Sequence, residues 1–566
     1  MDAAHGQSRW PAFAVSAVLI ITAAIYLPTL GFGFVTDDRT LLASLPAWSW
    51  RSIPALFTHH YWALINTSDA SVPAYYRPVL ALSNMLIYGF AGGSAVIWHA
   101  VAVLLHVAVT YLVYRVALEL TADRVIALTA ALLFGVHPAH VEAVAWTSGI
   151  SESIEAAFIA GAFLCWRRRS RAIWMCAAVG LYCAALLTKE TAVVFPLLLV
   201  ADAYVAGRGH QPSRRIVPSL AAASPFFAAV AVYLAVRRLV LGAVMTRLLT
   251  APAASIERTW PVVALFYARH LVWPIHLSYI YPLALQTTVT AAVVLAVAVL
   301  AAAICALLVF STGAPGVLIA TLWMVAFIVP VFNLSGMTDL GIVHDRYLYL
   351  PSIGFCILCA IALRFLRIRY PAMAVAVVAV VASAWSVIAV AECRPWRSET
   401  TLFTRVLQIS PGDRRAVGPL AVALETSGHC AEAIQLAEPE LLRRDDASLR
   451  IALGACYLQQ QQFADAENQF RHAAALKPNA VVPALMAALA LVSEQRFSDA
   501  DATLNAIAAK HGADWPGFHL LRGRILEAKA DWAGAAAEYR KELALNPESE
   551  QAQAGLDEVE LRTPRP

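Results

Sequence analysis

Long apolar stretches alternate with short polar ones over the first two thirds of the chain. A membrane-spanning helix needs about 20 apolar residues, since each residue rises 1.5 Å and the hydrocarbon is about 30 Å thick. Stretches that meet or approach this length predict about eleven spans. They are residues 12–32, 95–118, 125–144, 151–166, 171–188, 191–206, 216–237, 286–310, 315–333, 347–364 and 371–391. Two other apolar stretches, 77–92 and 261–283, are short or interrupted by charges and prolines, so we expect interfacial or re-entrant helices there.

The pattern changes near residue 396 to amphipathic helix rich in Ala, Gln and Glu, with a repeat of about 34 residues. The repeat is read from Gly454, Tyr457, Ala466, Phe470, Ala473 and Pro478, and again from Gly523, Ala535, Tyr539 and Pro547. This period is typical of tetratricopeptide units, whose small residues let helices approach closely. We therefore predict a membrane domain over 1–395, with a first outside loop at 33–94, and an α-solenoid over 396–566. The concave face of the repeats at 413–549 would bind an acceptor or partner.

Composition supports an all-α, polytopic membrane protein. The 566 residues are 60% hydrophobic and 14% charged, whereas soluble domains are about 45–50% apolar and about 25% charged. The net charge of +4 is too small to indicate a nucleic-acid partner. The first apolar stretch has no clear processing site, so we expect it to be retained as a span in the lipid bilayer.

Arginine distribution predicts the orientation of the spans. Arginines cluster at helix ends near 115–124, 167–171, 208–215 and 364–369, and such ends face the cytoplasm. With eleven spans, the opposite face receives the loop 33–94, residues 137–150, the turn 189–190, the segment 334–346 and the repeats. Arg237 and Arg238 are exceptions, because they lie on that opposite face.

Cysteines add little chemistry, since most of the nine lie in apolar spans, where they behave as small hydrophobic residues. Cys430 and Cys456 lie in the repeats and are candidates for a disulfide in an oxidising compartment, although the sequence does not give their separation. We predict no metal site. Cys356 and Cys359 lie on a membrane helix without further ligands, and a proline interrupts the spacing of His137 and His140.

Polar clusters occur almost entirely at the non-cytoplasmic helix ends, where each charge must be hydrated, paired or used. They are Asp37 and Asp38; Arg77; His137, His140 and Glu142; Lys189 and Glu190; and Asp345, Arg346 and Tyr347. Each cluster also has a structural interpretation: a solvated helix cap for Asp37-Asp38, a self-paired turn for Lys189-Glu190, and an interfacial anchor for Arg346. A guanidinium beside tyrosines at a membrane surface nevertheless suits bidentate phosphate binding.

Several motifs resemble one family. They are Thr36-Asp37-Asp38, Tyr76-Arg77-Pro78, the stretch 134–146, Leu187-Thr188-Lys189-Glu190 and the stretch 346–355, followed by the repeats. The chain resembles, over nearly its whole length, the transmembrane and tetratricopeptide-repeat O-mannosyltransferase-type proteins of the C-type integral-membrane glycosyltransferase superfamily, as a bacterial member. It differs in having Asp345 where the family often has Glu, and in a repeat array shorter than that of animal members.

The resemblance implies inverting transfer of a sugar such as mannose from a polyprenyl-phosphate carrier to an acceptor hydroxyl, on protein Ser or Thr. The reaction needs a carboxylate base for the hydroxyl and positive charge on the departing phosphate. Asp37 is our first choice of base, with Asp38 orienting or stabilising it. The candidates for binding the donor phosphate are Arg346, Lys189, Arg77 and His137, and the candidate supporting polar residues are Glu142, His140, Glu190, Asp345 and Tyr347.

No cofactor is predicted beyond the lipid-linked sugar donor, and Asp37-Asp38 would hold a divalent cation if one is used. The expected location is the bacterial inner membrane, with the site and the repeats facing the periplasm. Three alternatives stay open at this point. The acceptor could be a lipid-linked glycan or lipopolysaccharide, or the chain could be a non-catalytic membrane-tethered repeat scaffold. A transporter is disfavoured, because the sequence shows no convincing inverted repeat of helices broken by Gly or Pro.

Overall fold

The computed structural model describes residues 10–44, 50–62, 75–207, 214–244, 251–299, 301, 315–334 and 341–562. Within these ranges the chain is predominantly helical and contains no β-strand, which confirms the predicted all-α class. The chain divides into two compact units, Met1–Ser410 and Pro411–Pro566. The predicted division after residue 395 lies before this point, because a helix at Glu399–Ile409 belongs to the first unit.

The first unit is a helical membrane domain. Its helices are α1 (Trp10–Tyr26), α2 (Asp37–Ser44), α3 (Ile53–Thr58), α4 (Pro78–Ala91), α5 (Ala95–Thr121), α6 (Arg124–Gly135), α7 (Val141–Ala145), α8 (Ile150–Trp166), α9 (Ala172–Thr188), α10 (Phe195–Ala206), α11 (Ile216–Leu241), α12 (Ala253–Val272), α13 (Pro315–Ile328), α14 (Tyr349–Arg369), α15 (Pro371–Cys393) and α16 (Glu399–Ile409). Proline opens α4 and α15, where its missing N–H and fixed φ are tolerated.

Seven helices in the described part of the chain are long and apolar enough to cross a membrane, or eight if one bent pair is a single span. The predicted spans 171–188 and 191–206 correspond to α9 and α10, which have only 17 and 12 residues. The predicted span 286–310 and the arginine cluster at 208–215 lie partly outside the described residues. The chain is thus a multi-pass membrane protein, and the count of eleven stays a prediction.

The bent pair has a local cause. Helix α6 and the segment Pro138–Ala145 meet at an angle of 53°. Pro138 has no N–H to continue the hydrogen-bond ladder of α6. His137 is extended, and its Nδ1 accepts a hydrogen bond from the N–H of Ala139 at 3.2 Å. The helix therefore ends at Gly135 and restarts in a new direction, which brings Glu142 into the interior.

The two predicted interfacial stretches differ in outcome. Residues 77–92 contain α4, as expected for a short apolar helix. The second prediction, a helix over 261–283, is wrong in its bounds, because α12 begins at Ala253 and ends at Val272. The chain from 273 to 290 is irregular. Pro274 and Pro282 lie in this stretch, and each lacks the N–H that a helix needs.

Close helix packing orders the site-bearing segments of the first unit. Helix α14 crosses α13 at Gly354, where an added Cβ would lie 2.3 Å from the carbonyl oxygen of Ala320. Small residues at such crossings let backbones approach. Helix α5 packs against α6 and α8. Two of the polar clusters predicted from the sequence adjoin these helices: residues 137–142 follow α6, and residues 345–347 precede α14.

The second unit contains helices that pack in chain order. They are α17 (Arg414–Thr426), α18 (Cys430–Arg443), α19 (Ala447–Gln459), α20 (Phe463–Leu476), α21 (Val481–Ser493), α22 (Phe497–His511), α23 (Phe518–Ala528), α24 (Trp532–Leu545) and α25 (Glu550–Arg562). Phe470 packs over Gly454, and Tyr539 packs over Gly523, at equivalent positions of two repeats that are separated by one further repeat. A Cβ on Gly454 would lie 2.7 Å from the Phe470 ring. Cys430 and Cys456 form a disulfide between α18 and α19, with Cα atoms 5.2 Å apart.

Candidate active site

The two adjacent aspartates open the first turn of α2. The residue before them, Thr36, has a positive φ of 52°, which is an outlier for a β-branched side chain. This turn points the two carboxylates in different directions. Asp37 is exposed to solvent, whereas Asp38 is 1% exposed. The sequence could not separate the two aspartates, and their surroundings do.

Asp38 is held by the protein. One carboxylate oxygen accepts hydrogen bonds from the backbone N–H and the hydroxyl of Ser148, at 2.8 and 2.5 Å. The other accepts from the N–H of Val35 at 3.2 Å. The pKa of Asp38 is raised to about 7, chiefly by burial and also by the neighbouring Asp37 charge, although the hydrogen bonds from Ser148 and Val35 lower it. Asp38 ties α2 to the turn before α8, which is a positioning role.

Asp37 is available for chemistry. Among the described residues no group hydrogen-bonds to its carboxylate, and its side chain contacts solvent. The surrounding protein still partly desolvates the carboxylate and raises the pKa of Asp37, while the Arg346 guanidinium lowers it. The Asp37 charge also contributes to the raised pKa of the Tyr61 and Tyr279 phenols. Asp37 is therefore an accessible carboxylate within the electrostatic influence of Arg346.

Arg346 is fixed by Glu142. The guanidinium forms an ion pair with one carboxylate oxygen of Glu142, and the backbone N–H of Arg346 donates to the other at 2.9 Å. Its guanidinium carbon lies 5.0 Å from the ring centroids of both Trp146 and Tyr347. Glu142 is 3% exposed. The predicted phosphate ligand is thus preoriented between a buried carboxylate and two aromatic rings.

Lys189 also lies near the Tyr347 ring. Its ammonium forms an ion pair with Glu152 and lies 5.0 Å from the Tyr347 ring centroid. The same aromatic ring therefore lies within cation–π distance of both Lys189 and Arg346. Glu190, which follows in sequence, does not pair with Lys189 but with Arg77. The self-paired turn considered from the sequence is therefore absent.

Arg77 forms a two-point ion pair with Glu190. Its Nε donates to Oε2 at 3.0 Å and its terminal nitrogen to Oε1 at 2.8 Å. Burial disfavours the Glu190 charge, but Arg77 outweighs that effect and lowers the pKa of Glu190 to about 2. The guanidinium also lies 4.0 Å from the ring centroid of Tyr75. Arg77 is a permanent positive charge at the start of α4.

A cavity of about 360 Å³ lies beside Arg77 and Lys189. Arg77, Lys189, Glu190 and Tyr347 line its polar part. Its apolar walls come from Val193, Val194, Leu234, Val329, Pro330 and Val331. A third cation, Arg237 near the end of α11, also lines it and is 6% exposed. From the sequence, Arg237 is only an exception to the charge rule, and that exception is the signal that could have marked it as a cavity residue.

The two histidines of the 137–140 turn lie in the protein interior and have protein partners. Nε2 of His137 bonds to the carbonyl of Leu271 at 3.0 Å, and its other nitrogen is used by Ala139. Nε2 of His140 bonds to the hydroxyl of Ser352 at 2.8 Å. Both rings are fully buried. His137 therefore has no nitrogen left for a donor phosphate. Its prediction as a phosphate ligand is wrong, because both ring nitrogens bond to the protein interior.

Asp345 also faces inward. Tyr281 donates a hydrogen bond to it at 2.5 Å, and the carboxyl is 2% exposed. Asp345 helps to hold the irregular segment after α12 against the start of α14. In the described part of the chain, no group of three or more His, Cys, Asp or Glu side chains is arranged to hold a metal ion.

Sequence comparisons relate the chain to curated proteins. It is 24% identical to the mouse protein O-mannosyl-transferase TMTC3 over 590 residues, covering 94% of this chain and 64% of that protein. It is 25% identical to a protein O-mannosyl-transferase of Caenorhabditis elegans, covering 71% of this chain and 59% of that protein. For Drosophila melanogaster protein O-mannosyl-transferase Tmtc1, the identity is 36%, over 31% of this chain and 21% of that protein. This chain thus spans less than two thirds of the length of these relatives.

Structural comparison gives a weaker likeness. The crystal structure of ArnT from Cupriavidus metallidurans bound to undecaprenyl phosphate superimposes with a TM-score of 0.40 and 15% identity, covering 90% of this chain and 82% of ArnT. No family model matches the chain. The resemblance inferred from the motifs is confirmed by the curated relatives: the chain is similar in sequence to the TMTC-type protein O-mannosyl-transferases over nearly its whole length.

Proposed function

We propose that this protein is a membrane glycosyltransferase that moves a sugar from a polyprenyl-phosphate carrier to an acceptor hydroxyl with inversion at the anomeric carbon. One observation carries the proposal. The solvent-accessible Asp37 carboxylate lies within the electrostatic influence of Arg346. The ring of Tyr347 lies beside Arg346 and Lys189 and lines, with Lys189, a cavity that has cationic and apolar walls. A base, a phosphate site and a lipid site are thus neighbours.

The cavity suits the donor. Phosphate would be bound by Lys189, Arg77 and Arg237, whose own carboxylate and hydroxyl partners hold them in place. Charge-assisted hydrogen bonds from such groups stabilise the negative charge that grows on the leaving phosphate. The apolar walls would contact the first isoprenoid units. A lipid-linked donor explains why cations and an apolar wall share one cavity.

The transfer step follows from this placement. The acceptor hydroxyl loses its proton to Asp37 as its oxygen bonds to the anomeric carbon. The bond between that carbon and the phosphate oxygen breaks, and its electron pair stays on the phosphate, beside the cations. The Arg346 charge lowers the pKa of Asp37 against the effect of burial and so favours the ionised base, and it would also support the phosphate charge. The products are the glycosylated acceptor, free polyprenyl phosphate and a proton on Asp37.

The acceptor in this proposal is a protein Ser or Thr hydroxyl, and the sugar is mannose. The names of the curated relatives support both assignments, since those proteins are protein O-mannosyl-transferases. The repeats would present the acceptor through the concave face of 413–549, as helical repeat arrays commonly bind extended peptides. A stable protein partner on the same face would be a second use of that surface.

The proposed location is a bacterial inner membrane, with the site and the repeats on the periplasmic side. Arginine clusters at the opposite helix ends favour this orientation. The Cys430–Cys456 disulfide in the second unit supports an oxidising compartment for the repeats. Cysteine-accessibility labelling of single-cysteine variants in intact cells tests it, and a cytosolic second unit would contradict it.

The decisive experiment measures mannose transfer from a polyprenyl-phosphate donor by the purified protein. We expect Asp37→Asn to lower the rate by at least about 100-fold while membrane insertion is retained, because general-base catalysis contributes about 10²–10⁴-fold. The matched control is Asp465→Asn, which changes an exposed acid in the first turn of α20. Near-normal turnover by the Asp37 variant would reject Asp37 as the base.

A further inference from the structure

The turn that carries Asp37 is held in an unfavourable conformation. Thr36 adopts a φ of 52°, a region that β-branched residues rarely occupy. Such outliers persist only when surrounding contacts fix them, and they cluster at functional sites. The contacts that fix Thr36 therefore decide where the Asp37 carboxylate lies.

Glu399, in the first turn of α16, supplies the main contact. Its Oε1 accepts a hydrogen bond from the backbone N–H of Thr36 at 3.2 Å. Its Oε2 lies 3.7 Å from a guanidinium nitrogen of Arg39, two residues after Asp37. The carbonyl of Arg397 accepts from the N–H of Gly33 at 3.2 Å. The start of α16 and the residues just before it thus contact the chain on both sides of the aspartate pair, at Gly33 and Thr36 before it and at Arg39 after it.

The start of α16 has its own helix cap. The Ser398 hydroxyl accepts a hydrogen bond from the N–H of Thr401, and the Thr401 hydroxyl accepts from the N–H of Ser398. This reciprocal capping box satisfies the helix terminus. The Glu399 side chain is not needed for that purpose and extends instead to Thr36. Its contacts are therefore directed at the turn.

The same segment reaches the opposite side of the site. Trp396 stacks on Trp146, with ring centroids 6.0 Å apart and planes inclined by 26°. The Arg346 guanidinium in turn lies over the Trp146 ring, with its carbon 5.0 Å from the ring centroid. Residues 394–409 thus contact both the turn that holds the proposed base and the aromatic ring that supports its cation.

We propose that Glu399 is a positioning residue for the transfer reaction and fixes Asp37 by holding Thr36 in its left-handed conformation. This inference rests on the proposed function, because it assigns Asp37 as the base. The segment 394–409 is accordingly part of the catalytic unit, although the sequence places it next to the repeats. Glu399 contacts neither phosphate nor acceptor in this assignment, so it acts only through Asp37.

The test uses the full-length protein and separates binding from turnover. Glu399→Ala is expected to lower kcat about tenfold or more, since a small misplacement of a reacting group is costly, with KM for the polyprenyl-phosphate sugar within about twofold. Glu399→Gln keeps an oxygen that accepts from Thr36 and is expected to retain most activity. Glu432→Ala, which changes an exposed glutamate in the first turn of α18, is the matched control.

A second substitution tests the cause. Glycine adopts positive φ without strain, so adding Thr36→Gly to Glu399→Ala is expected to recover part of the lost kcat. Equal kcat for Glu399→Ala and the unaltered protein would overturn this inference alone, provided that Asp37→Asn is inactive. Full activity of Asp37→Asn would instead overturn the proposed function. If the double variant had a lower kcat than Glu399→Ala, by the same factor that Thr36→Gly alone causes, then Glu399 would not act through the turn.

Discussion

Arg346 and Glu142 meet at two points: the guanidinium pairs with one carboxylate oxygen, and the backbone N–H of the arginine donates to the other. A buried carboxylate needs such pairing, because its desolvation is otherwise uncompensated. The two contacts fix the position and the direction of the arginine. Arg346 is therefore a stationary positive charge beside Asp37, and not a mobile side chain at the membrane surface.

A change in Arg346 should alter the pH dependence of transfer. The base acts only when it is deprotonated, so the rate rises with pH as Asp37 loses its proton. Arg346 lowers the pKa of Asp37, and Arg346→Gln should therefore move this rise to higher pH and reduce the maximal rate. The pH profile of kcat/KM measures both effects.

The control for this shift is Arg269→Gln, which changes an exposed arginine of α12. It should leave the profile in place. A slower Arg346→Gln enzyme whose rate still rises at the original pH would show that Arg346 binds substrate without acting on the base.

Asp38 should make stability fall as pH rises toward neutrality. Burial raises the pKa of Asp38 from 3.8 to about 7, so the folded protein retains a proton that the unfolded chain has lost over that interval. Stability decreases with pH where the folded state binds more protons. Asp38→Asn should remove this component, which is on the order of a few kcal/mol. Tm measured in detergent from about pH 4 to about pH 8 reports it.

Asp465→Asn provides the comparison, because Asp465 is exposed. If Asp38→Asn kept the same decrease in Tm with pH as the unaltered protein, the buried proton would lie on another group.

Much of the site could be predicted because charge at membrane helix ends is costly and therefore informative. The sequence predicts Asp37, Arg346, Lys189 and Arg77 as polar residues on one face of the membrane. In the structure Arg77 and Lys189 line one cavity, and the Arg346 charge acts on Asp37. The length of the apolar stretches likewise predicted a membrane protein and the positions of helices that are long enough to span the membrane. These features depend on local composition, which a single sequence contains.

Other features depend on tertiary packing, which residue spacing does not give. His137 lies beside Glu142 in the sequence, yet its ring points into the interior and bonds to Leu271. Glu190 pairs with Arg77, which is 113 positions away, and not with its neighbour. Glu399 contacts Thr36 across 363 positions. No periodicity or motif specifies such long-range partners.

Arg237 should contribute to donor binding. It lines the cavity beside Arg77 and Lys189, with Nε donating to the carbonyl of Val244 at 2.9 Å and a terminal nitrogen to the hydroxyl of Tyr233 at 3.2 Å. Arg237→Gln should raise KM for the polyprenyl-phosphate sugar by roughly tenfold. KM for the acceptor should change little. Steady-state kinetics with each substrate varied in turn measures the difference.

The neighbouring Arg238 is exposed, and Arg238→Gln is the matched control. Equal increases in both KM values for Arg237→Gln would indicate a general structural defect and would remove Arg237 from the donor site.

Gly354 should be intolerant of a methyl group. An added Cβ would lie 2.3 Å from the carbonyl oxygen of Ala320 and 2.7 Å from the amide nitrogen of Met324. Backbone atoms cannot move aside as a flexible side chain does, so α13 and α14 must separate. Gly354→Ala should cost about 1–3 kcal/mol, measured as a lower Tm. Gly180→Ala in α9 is the control, because nothing lies within 4 Å of its added Cβ; an equal loss there would refute the packing argument.

Ending the chain after Ser410 should separate donor chemistry from acceptor use. This truncation keeps α16, with its Glu399 and Arg397 contacts to the aspartate turn, and removes the second unit. Slow hydrolysis of the donor by water should persist, while KM for a protein acceptor should rise about tenfold or more. Ending the chain after residue 395 should also lower donor hydrolysis about tenfold or more, because it removes the Glu399 and Arg397 contacts that hold the aspartate turn. Size-exclusion profiles confirm that each protein is intact. Unchanged acceptor kinetics in the chain that ends at Ser410 would mean that the repeats serve a different partner, and that the first unit alone recognises its acceptor.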